Sequence, residues 1–138
     1  MERFISSIFS STCMDVAIRE IITKAKKDSS VVAVALYGSY ARGEKYRDID
    51  ICIFLKPKEY PDLALSQKRM MYLSEKEGYD VQIFQQLPVY IQRRILKDVK
   101  VIYCKDEDTL YDLSFQSVRD FDHFQHIYEG YLDAVENG

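Results

Sequence analysis

The sequence predicts an α/β (α+β) fold in which helices pack on a mixed β-sheet. Segments with helical spacing and segments with strand character follow one another in the order α-β-β-α-β-α-β-α. The first two strands are joined by a short loop and the later strands are separated by helices, which favours a mixed sheet. The length of 138 residues and the hydrophobic content of 47% suit a single domain over residues 1–138.

The first elements lead from a helix into two strands. Residues 1–12 are weakly amphipathic and predict a short helix or a loose arm. From Met14 to Lys27, apolar residues recur at helical spacing and lysines enrich the last turn, as at a helix C-terminus. Val31–Tyr37 is a continuous apolar run, typical of a strand covered on both faces. The second strand alternates, with Ile49, Ile51 and Ile53 on one face and Asp48, Asp50 and Cys52 on the other.

Two helices and two strands follow. Pro61 fits the first position of a helix that we expect to reach about Lys76 and to stop before Gly78. Its candidate sheet-facing residues are Leu63, Ala64, Met70 and Met71. A third alternating strand begins at Tyr79, and the segment from Leu87 to about Lys97 predicts a helix whose inner face carries Ile91, Ile95 and Leu96. The run KVIYC at residues 100–104 predicts a fourth strand at a sheet edge.

The last predicted helix spans about residues 106–135, with Asp106 as its N-cap. It carries an apolar stripe at steps of three and four, formed by Phe121, Phe124, Tyr128, Tyr131 and Val135. Packing on the domain is the favoured interpretation of this stripe, and binding of a partner is the alternative. His123 and His126 lack companion ligands at a metal-site spacing, so we expect them at the surface or at an interface.

Residues that could perform chemistry concentrate between the first two strands. Gly38 allows backbone to approach a ligand closely, and Ser39 offers a hydroxyl and an N–H group. Residues 39–43 could open a helix, whose N-terminus favours phosphate. Asp48 and Asp50 share one strand face at about 7 Å, where they would repel each other unless a divalent cation binds.

A third carboxylate completes the pattern. Asp80 lies on the polar face of the third strand and can join Asp48 and Asp50 if the two strands are neighbours. A Gly-Ser turn or a DxD pair alone is common in proteins without such a site. Their combination in this order predicts phosphoryl or nucleotidyl transfer. Arg42, Lys45 or Arg47 would then neutralise phosphate charge.

The segment GSYARGEKYRDIDICIF resembles the signature of the DNA polymerase β nucleotidyltransferase superfamily, and in particular the minimal nucleotidyltransferases, or MNT proteins. The resemblance implies a palm-like nucleotidyltransferase fold with its core at about residues 31–104. It also implies that Gly38 and Ser39 hold a triphosphate, and that Asp48, Asp50 and Asp80 bind two Mg²⁺ ions. Arg42 matches the basic position of the ARG segment.

Two departures from the family pattern concern the loop before Asp48. Eight residues, Tyr40 to Arg47, stand where the family usually has ten, and Arg47 replaces a frequent serine. MNT proteins often act as antitoxins of HEPN-domain toxins, and some transfer AMP to a HEPN tyrosine. We therefore expect AMP transfer from ATP to such a hydroxyl. The alternatives are an inactive nucleotide-binding antitoxin that acts by contact and, less favoured, modification of a small molecule.

Composition limits the other partners and the compartment. The net charge of −3 disfavours broad nucleic-acid binding, and no apolar run is long enough to span a membrane. The first residues lack the features of a signal peptide, so we expect a cytoplasmic protein. Cys13, Cys52 and Cys104 are odd in number and have no metal-site spacing, which predicts reduced thiols. A homo-oligomer remains open.

Overall fold

The computed structural model describes residues 16–73 and 78–137. The expectations for residues 1–12, for Cys13 and Met14, and for a helix that reaches Lys76 lie outside these residues. In chain order the elements are α1 (Val16–Lys27), β1 (Val31–Tyr37), α2 (Gly38–Ala41), β2 (Ile49–Leu55), α3 (Asp62–Tyr72), β3 (Tyr79–Ile83), a 3₁₀ turn (Phe84–Gln86), α4 (Val89–Asp98), β4 (Lys100–Cys104) and α5 (Glu107–Asn137).

The four strands form one mixed sheet in the order β3-β2-β1-β4. β1 runs antiparallel to both β2 and β4, whereas β2 and β3 are parallel. The prediction of a mixed sheet with its fourth strand at an edge is therefore confirmed. The first two strands join through a short loop because they are antiparallel, and the parallel pair is joined through α3.

Helices cover both faces of the sheet. On one face, α1 and α3 pack against the strands, and Ile18, Ile21 and Ala25 of α1 are buried there as the sequence predicts. On the other face, α4 and α5 pack against Cys52 and Phe54, and Ile95 is the most deeply buried residue of α4. β1 lies between two layers of helices, which explains its uninterrupted apolar sequence. Cys52 and Cys104 are free thiols, as expected.

The predicted inner face of α3 is wrong in part. Leu63, Met70 and Met71 are exposed, and the buried residues of this helix are Leu65 and Tyr72. The inward face instead consists of residues at helical spacing that include two cations, namely Leu65, Lys68, Arg69 and Tyr72. Polar contacts orient the helix, because these two cations and the Tyr72 hydroxyl all donate hydrogen bonds toward the sheet or the turn before it.

The favoured interpretation of the last apolar stripe is also wrong. α5 packs on α4 and the sheet through Leu110 and Ser117, and the Ser117 hydroxyl donates to the Gln92 amide at 2.8 Å. All of residues 122–137 are exposed. α4 begins at Val89, and beyond that point no described element covers α5. The helix is simply longer than the layer it packs on.

A polar cluster at Asp28 joins the turn before β1 to α3. The Asp28 carboxylate accepts hydrogen bonds from Lys68 Nζ and the Tyr72 hydroxyl, both at 2.8 Å, and from Ser30. Burial would raise the pKa of Asp28, but these donors together hold it well below its ordinary value of 3.8. The cluster therefore favours the charged carboxylate and fixes how α3 sits on the sheet.

Replacing Asp28 by asparagine is expected to destabilise the fold by about 2 kcal/mol, because Lys68 loses a largely buried charged partner. The folded pKa is depressed, so this stabilisation is present above about pH 4 and is lost as the pH falls. Urea unfolding at pH 7 and pH 3 measures both effects. The exposed Asp112→Asn is the control, and an equal loss in the two variants would contradict the assigned role.

Candidate active site

The parallel pairing of β2 and β3 brings two acidic residues together. Asp50 and Asp80 are direct partners in the register, so their Cα atoms are neighbours at about 4.8 Å and their side chains leave the same face of the sheet. Both are partly exposed, at the end of the sheet where β1 runs into α2. The sequence predicted that Asp80 could join Asp48 and Asp50 if their strands were neighbours. The strands of Asp80 and Asp50 are indeed adjacent.

Asp48 lies just before β2, on the exposed loop that leads into this face. The pKa of Asp50 is raised above its ordinary value, first by burial and then by the negative charges of Asp80 and Asp48. The negative charges of Asp48 and Asp80 therefore lie close enough to Asp50 to disfavour its ionised form. Among the described residues, no basic side chain forms an ion pair with Asp50.

Gly38 lies directly beside the Asp50 carboxylate. Its φ of 77° lies in the left-handed region that favours glycine. A Cβ atom at this position would overlap the Asp50 carboxylate and would approach its Cγ to 3.3 Å. Any other side chain would therefore displace the carboxylate, so the turn and the acid are built around each other.

The loop after Gly38 is compact. The backbone N–H of Glu44 donates to the Ser39 carbonyl at 3.0 Å, and that of Arg42 donates to the Gly38 carbonyl at 3.1 Å. The Arg42 guanidinium bonds to Glu44 and reaches α4, where it meets Asp98 at 2.8 Å. Of the predicted phosphate-binding cations, Arg42 is thus held by two carboxylates. The other two, Lys45 and Arg47, are exposed on the same loop.

Three residues of the site were not predicted from the sequence. Arg69 of α3 donates to the Val81 carbonyl at 2.7 Å and lies 3.4 Å from the Asp80 carboxylate. Gln82 also donates to Asp80, at 3.2 Å. Tyr37 pairs with Asp50 across β1 and β2, and burial together with the charge on Asp50 raises its pKa. Gln82 could have been predicted, because it shares the polar face of β3 with Asp80. No local sequence pattern indicates that Arg69 reaches the site.

The donor set fits a hard divalent cation. Mg²⁺ usually takes one or two carboxylates, keeps several waters and shares phosphate oxygens with a substrate. Asp50 and Asp80 supply such a pair, with Asp48 at the entrance. No group of three or more His, Cys, Asp or Glu side chains within residues 16–73 and 78–137 is gathered closely enough to hold a metal by itself. An open site of this kind suits a metal that is completed by substrate.

Comparison with known proteins decides the family. Residues 19–108 match the family described as Polymerase beta, Nucleotidyltransferase. The chain belongs to this family. The matched region contains the sheet, the Gly38 turn and all three acids, so the resemblance seen in the sequence motif is confirmed over most of the chain.

A Methanocaldococcus jannaschii protein provisionally named a protein adenylyltransferase is 38% identical over 79 residues, which are 54% of this chain. The chain thus spans 57% of the length of that relative. This polymerase beta-family chain therefore shares with it a region that includes little more than half of either protein.

Two solved structures have the same fold. A chain of a toxin-antitoxin complex with AMP-PNP superposes with a TM-score of 0.64 at 16% identity, over 87% of this chain and 96% of that one. A chain from tri-AMPylated Shewanella oneidensis HEPN toxin in complex with MNT antitoxin superposes with a TM-score of 0.60 at 15% identity, over 86% and 92%. At these identities the likeness concerns the fold. Separately, none of the helices in the described part of the chain has the length and hydropathy of a membrane span.

The overlap at Gly38 generates a matched pair of variants. If the site takes ATP–Mg²⁺, Gly38→Ala would weaken that binding about tenfold or more, because the new methyl group displaces the Asp50 carboxylate. Gly43→Ala changes a glycine with a similar φ of 74° that has open space around it, so it costs about 1 kcal/mol of stability and leaves binding intact. Isothermal titration calorimetry measures binding. Equal losses of affinity would show that backbone strain, and not the carboxylate, is responsible.

The raised pKa of Asp50 predicts a gain of stability when its charge is removed. The folded state binds protons more tightly than the unfolded chain, so its stability falls as the pH rises through the raised pKa. Asp50→Asn should therefore have a higher Tm than the wild type at pH 7 without metal, and the difference should vanish near pH 3. Differential scanning calorimetry tests this, with Asp112→Asn as control; an unchanged or lower Tm would contradict it.

Proposed function

We propose that this chain is a Mg²⁺-dependent nucleotidyltransferase that moves AMP from ATP to a protein hydroxyl. The observation that carries the proposal is the pairing of Asp50 with Asp80 beside the Gly38 turn. Two adjacent carboxylates next to a close backbone approach, of which Asp50 has no ion-pair partner among the described residues, suit a cation and a triphosphate. The provisional name of the Methanocaldococcus jannaschii relative supports adenylyl transfer to protein in particular.

In this proposal, Gly38 and Ser39 hold the β- and γ-phosphates, and Lys45 and Arg47 add positive charge from the exposed loop. Asp48, Asp50 and Asp80 would hold two Mg²⁺ ions. When bound, these ions polarise the α-phosphate and neutralise the charge that develops on pyrophosphate.

The transfer itself is a substitution at the α-phosphorus of ATP. The acceptor oxygen forms a bond to the α-phosphorus while the bond from that phosphorus to the bridging oxygen breaks, and pyrophosphate leaves. Asp80 accepts the proton of the attacking hydroxyl. Arg69 keeps the Asp80 carboxylate oriented, because it is itself anchored on the Val81 carbonyl. Arg42 shapes the loop through Asp98 and neutralises phosphate charge from its edge.

A tyrosine of a HEPN-domain toxin is the proposed acceptor, and the chain acts as the antitoxin in the cytoplasm. Two of the structural neighbours are a toxin-antitoxin complex with AMP-PNP and an AMPylated HEPN toxin with its MNT antitoxin. The described residues form one sheet and its helices, with no second lobe to enclose a large acceptor. A partner that brings the hydroxyl to the open face therefore suits this fold.

A second candidate is an antitoxin that binds nucleotide and neutralises its partner by contact, without transfer. It is favoured by the eight-residue loop between Ser39 and Asp48, which is shorter than the loop usual in the family. The long exposed end of α5 also offers a surface for contact. This candidate predicts that the acids of the site are dispensable for neutralisation.

The deciding experiment incubates the purified chain and a HEPN-domain protein with Mg²⁺ and ATP labelled at its α-phosphate. We expect label and the mass of one or more AMP groups on a HEPN tyrosine. Asp50→Asn should lower the initial rate more than about 100-fold, because the cation site loses a central charge. Asp112→Asn, far from the sheet end, is the matched control and should keep the wild-type rate.

Two outcomes would decide against transfer. One is the absence of label with wild-type protein that binds the HEPN partner. The other is full neutralisation of the toxin by Asp50→Asn without labelled product. Either result would favour the contact antitoxin.

A further inference from the structure

The end of α5 extends beyond the domain as an arm, defined here as residues 121–137. It is about 25 Å long at 1.5 Å per residue. Tyr131 is 63% exposed, Val135 62% and Ile127 57%. An isolated helix of this length is marginal in water, so the helix depends on packing of its apolar face against something. Beyond Phe124, no described element of this chain provides that packing.

The packing of α5 on α4 stops part-way along the stripe. Phe121 lies under Arg93, and Phe124 stacks on Tyr90 at 6.2 Å, close to the first residue of α4. Tyr128 stacks on Phe124 at 6.1 Å and continues the same row. The seam that holds α5 on the domain therefore runs on without interruption into the uncovered arm. A partner helix in line with α4 would extend an existing interface.

The apolar face of the arm is wider than a two-stranded coiled-coil seam. Phe121, Phe124, Tyr128, Tyr131 and Val135 occupy the a and d positions of a heptad, and Ile127 and Leu132 widen the face on both sides. A face of this width is typical of a helix that packs against two helices at once. It therefore fits a groove between two partner helices better than a single helix.

Charge indicates which kind of partner fills this role. The segment from Asp120 to Asn137 contains five acidic residues and no Lys or Arg, namely Asp120, Asp122, Glu129, Asp133 and Glu136. Asp122, Glu129 and Glu136 recur every seven residues at the b position of the heptad, on the outer side of Leu132. Among the described residues, none of these acids is in an ion pair. A second copy would place this charge against itself, whereas a basic surface would neutralise it.

We propose that the arm docks into an apolar groove between two helices of a different, helical protein whose groove is edged by Lys or Arg. The inference rests on the proposed function in one respect, since it identifies this protein with the HEPN-domain acceptor. Docking there would hold the acceptor to the domain by a surface separate from the acids of the active site. Binding and transfer are then separable by mutation.

The test uses the full chain with its HEPN-domain partner and a photo-reactive phenylalanine analogue at Tyr131 or at His126, which lies on the back of the arm. We expect cross-links to the partner from position 131 and none from position 126. Cross-links from 131 to a second copy or to residues 1–15 of the same chain, or to no protein while the complex is intact, would overturn the proposal.

Affinity provides a second measurement. Tyr131→Asp should raise the Kd for the partner about tenfold or more, because it buries a charge in the groove. His126→Asp introduces the same charge on the back of the arm and should change the Kd less than about threefold. Neutralising Asp122, Glu129 and Glu136 together should flatten the salt dependence of association. Equal Kd values for the two aspartate variants would overturn the assigned surface.

The two proposals fail differently. Asp50→Asn should retain the wild-type Kd and lose AMP transfer. If the wild type binds through Tyr131 without transferring AMP, the docking surface stands and the enzymatic function falls. If AMP is transferred and Tyr131→Asp binds normally, the function stands and the docking surface falls.

Discussion

The electrostatic repulsion between the carboxylates of Asp50 and Asp80 is the constraint around which this structure is organised. Parallel pairing of two strands places the two carboxylates side by side, and partial burial makes their repulsion stronger than it would be in water. The fold tolerates this because the flanking residues of both strands are buried on the opposite face and because the Arg69 guanidinium lies 3.4 Å from the Asp80 carboxylate. The site is held by its scaffold in spite of its own electrostatics, which is typical of sites built to receive a cation.

Polar contacts around the site fix the orientation of α3 relative to the sheet. The Asp28 cluster and Arg69 both act through α3, one on the turn before β1 and the other on the edge of β3. The same helix therefore links the stability of the sheet to the position of Asp80. Gly38, the first residue of α2, completes the site, since its missing side chain leaves room for the Asp50 carboxylate. Each wall of the site belongs to a different element of the sheet layer.

Under the proposed function, the arm of α5 would separate recognition of the acceptor from the chemistry in space. The acids lie at one end of the sheet, whereas the exposed apolar face lies along a helix that continues past α4. An acceptor held at the arm would be presented to the site without enlarging the domain. A small domain can in this way act on a large partner, because recognition and chemistry use different surfaces.

The sequence by itself determined the element order, the mixed sheet and the edge position of β4, and it identified Gly38, Asp48, Asp50 and Asp80 as candidate site residues. Periodicity and local motifs encode these features, since each depends on neighbours along the chain. Only the tertiary structure decided that Arg69 reaches Asp80, that α3 turns a partly charged face inward, and that the stripe beyond Phe124 is uncovered. These depend on helix orientation and on where α4 begins relative to α5. An apolar periodicity in the sequence predicts that one helix face will be buried, but it does not predict which element or partner will cover that face.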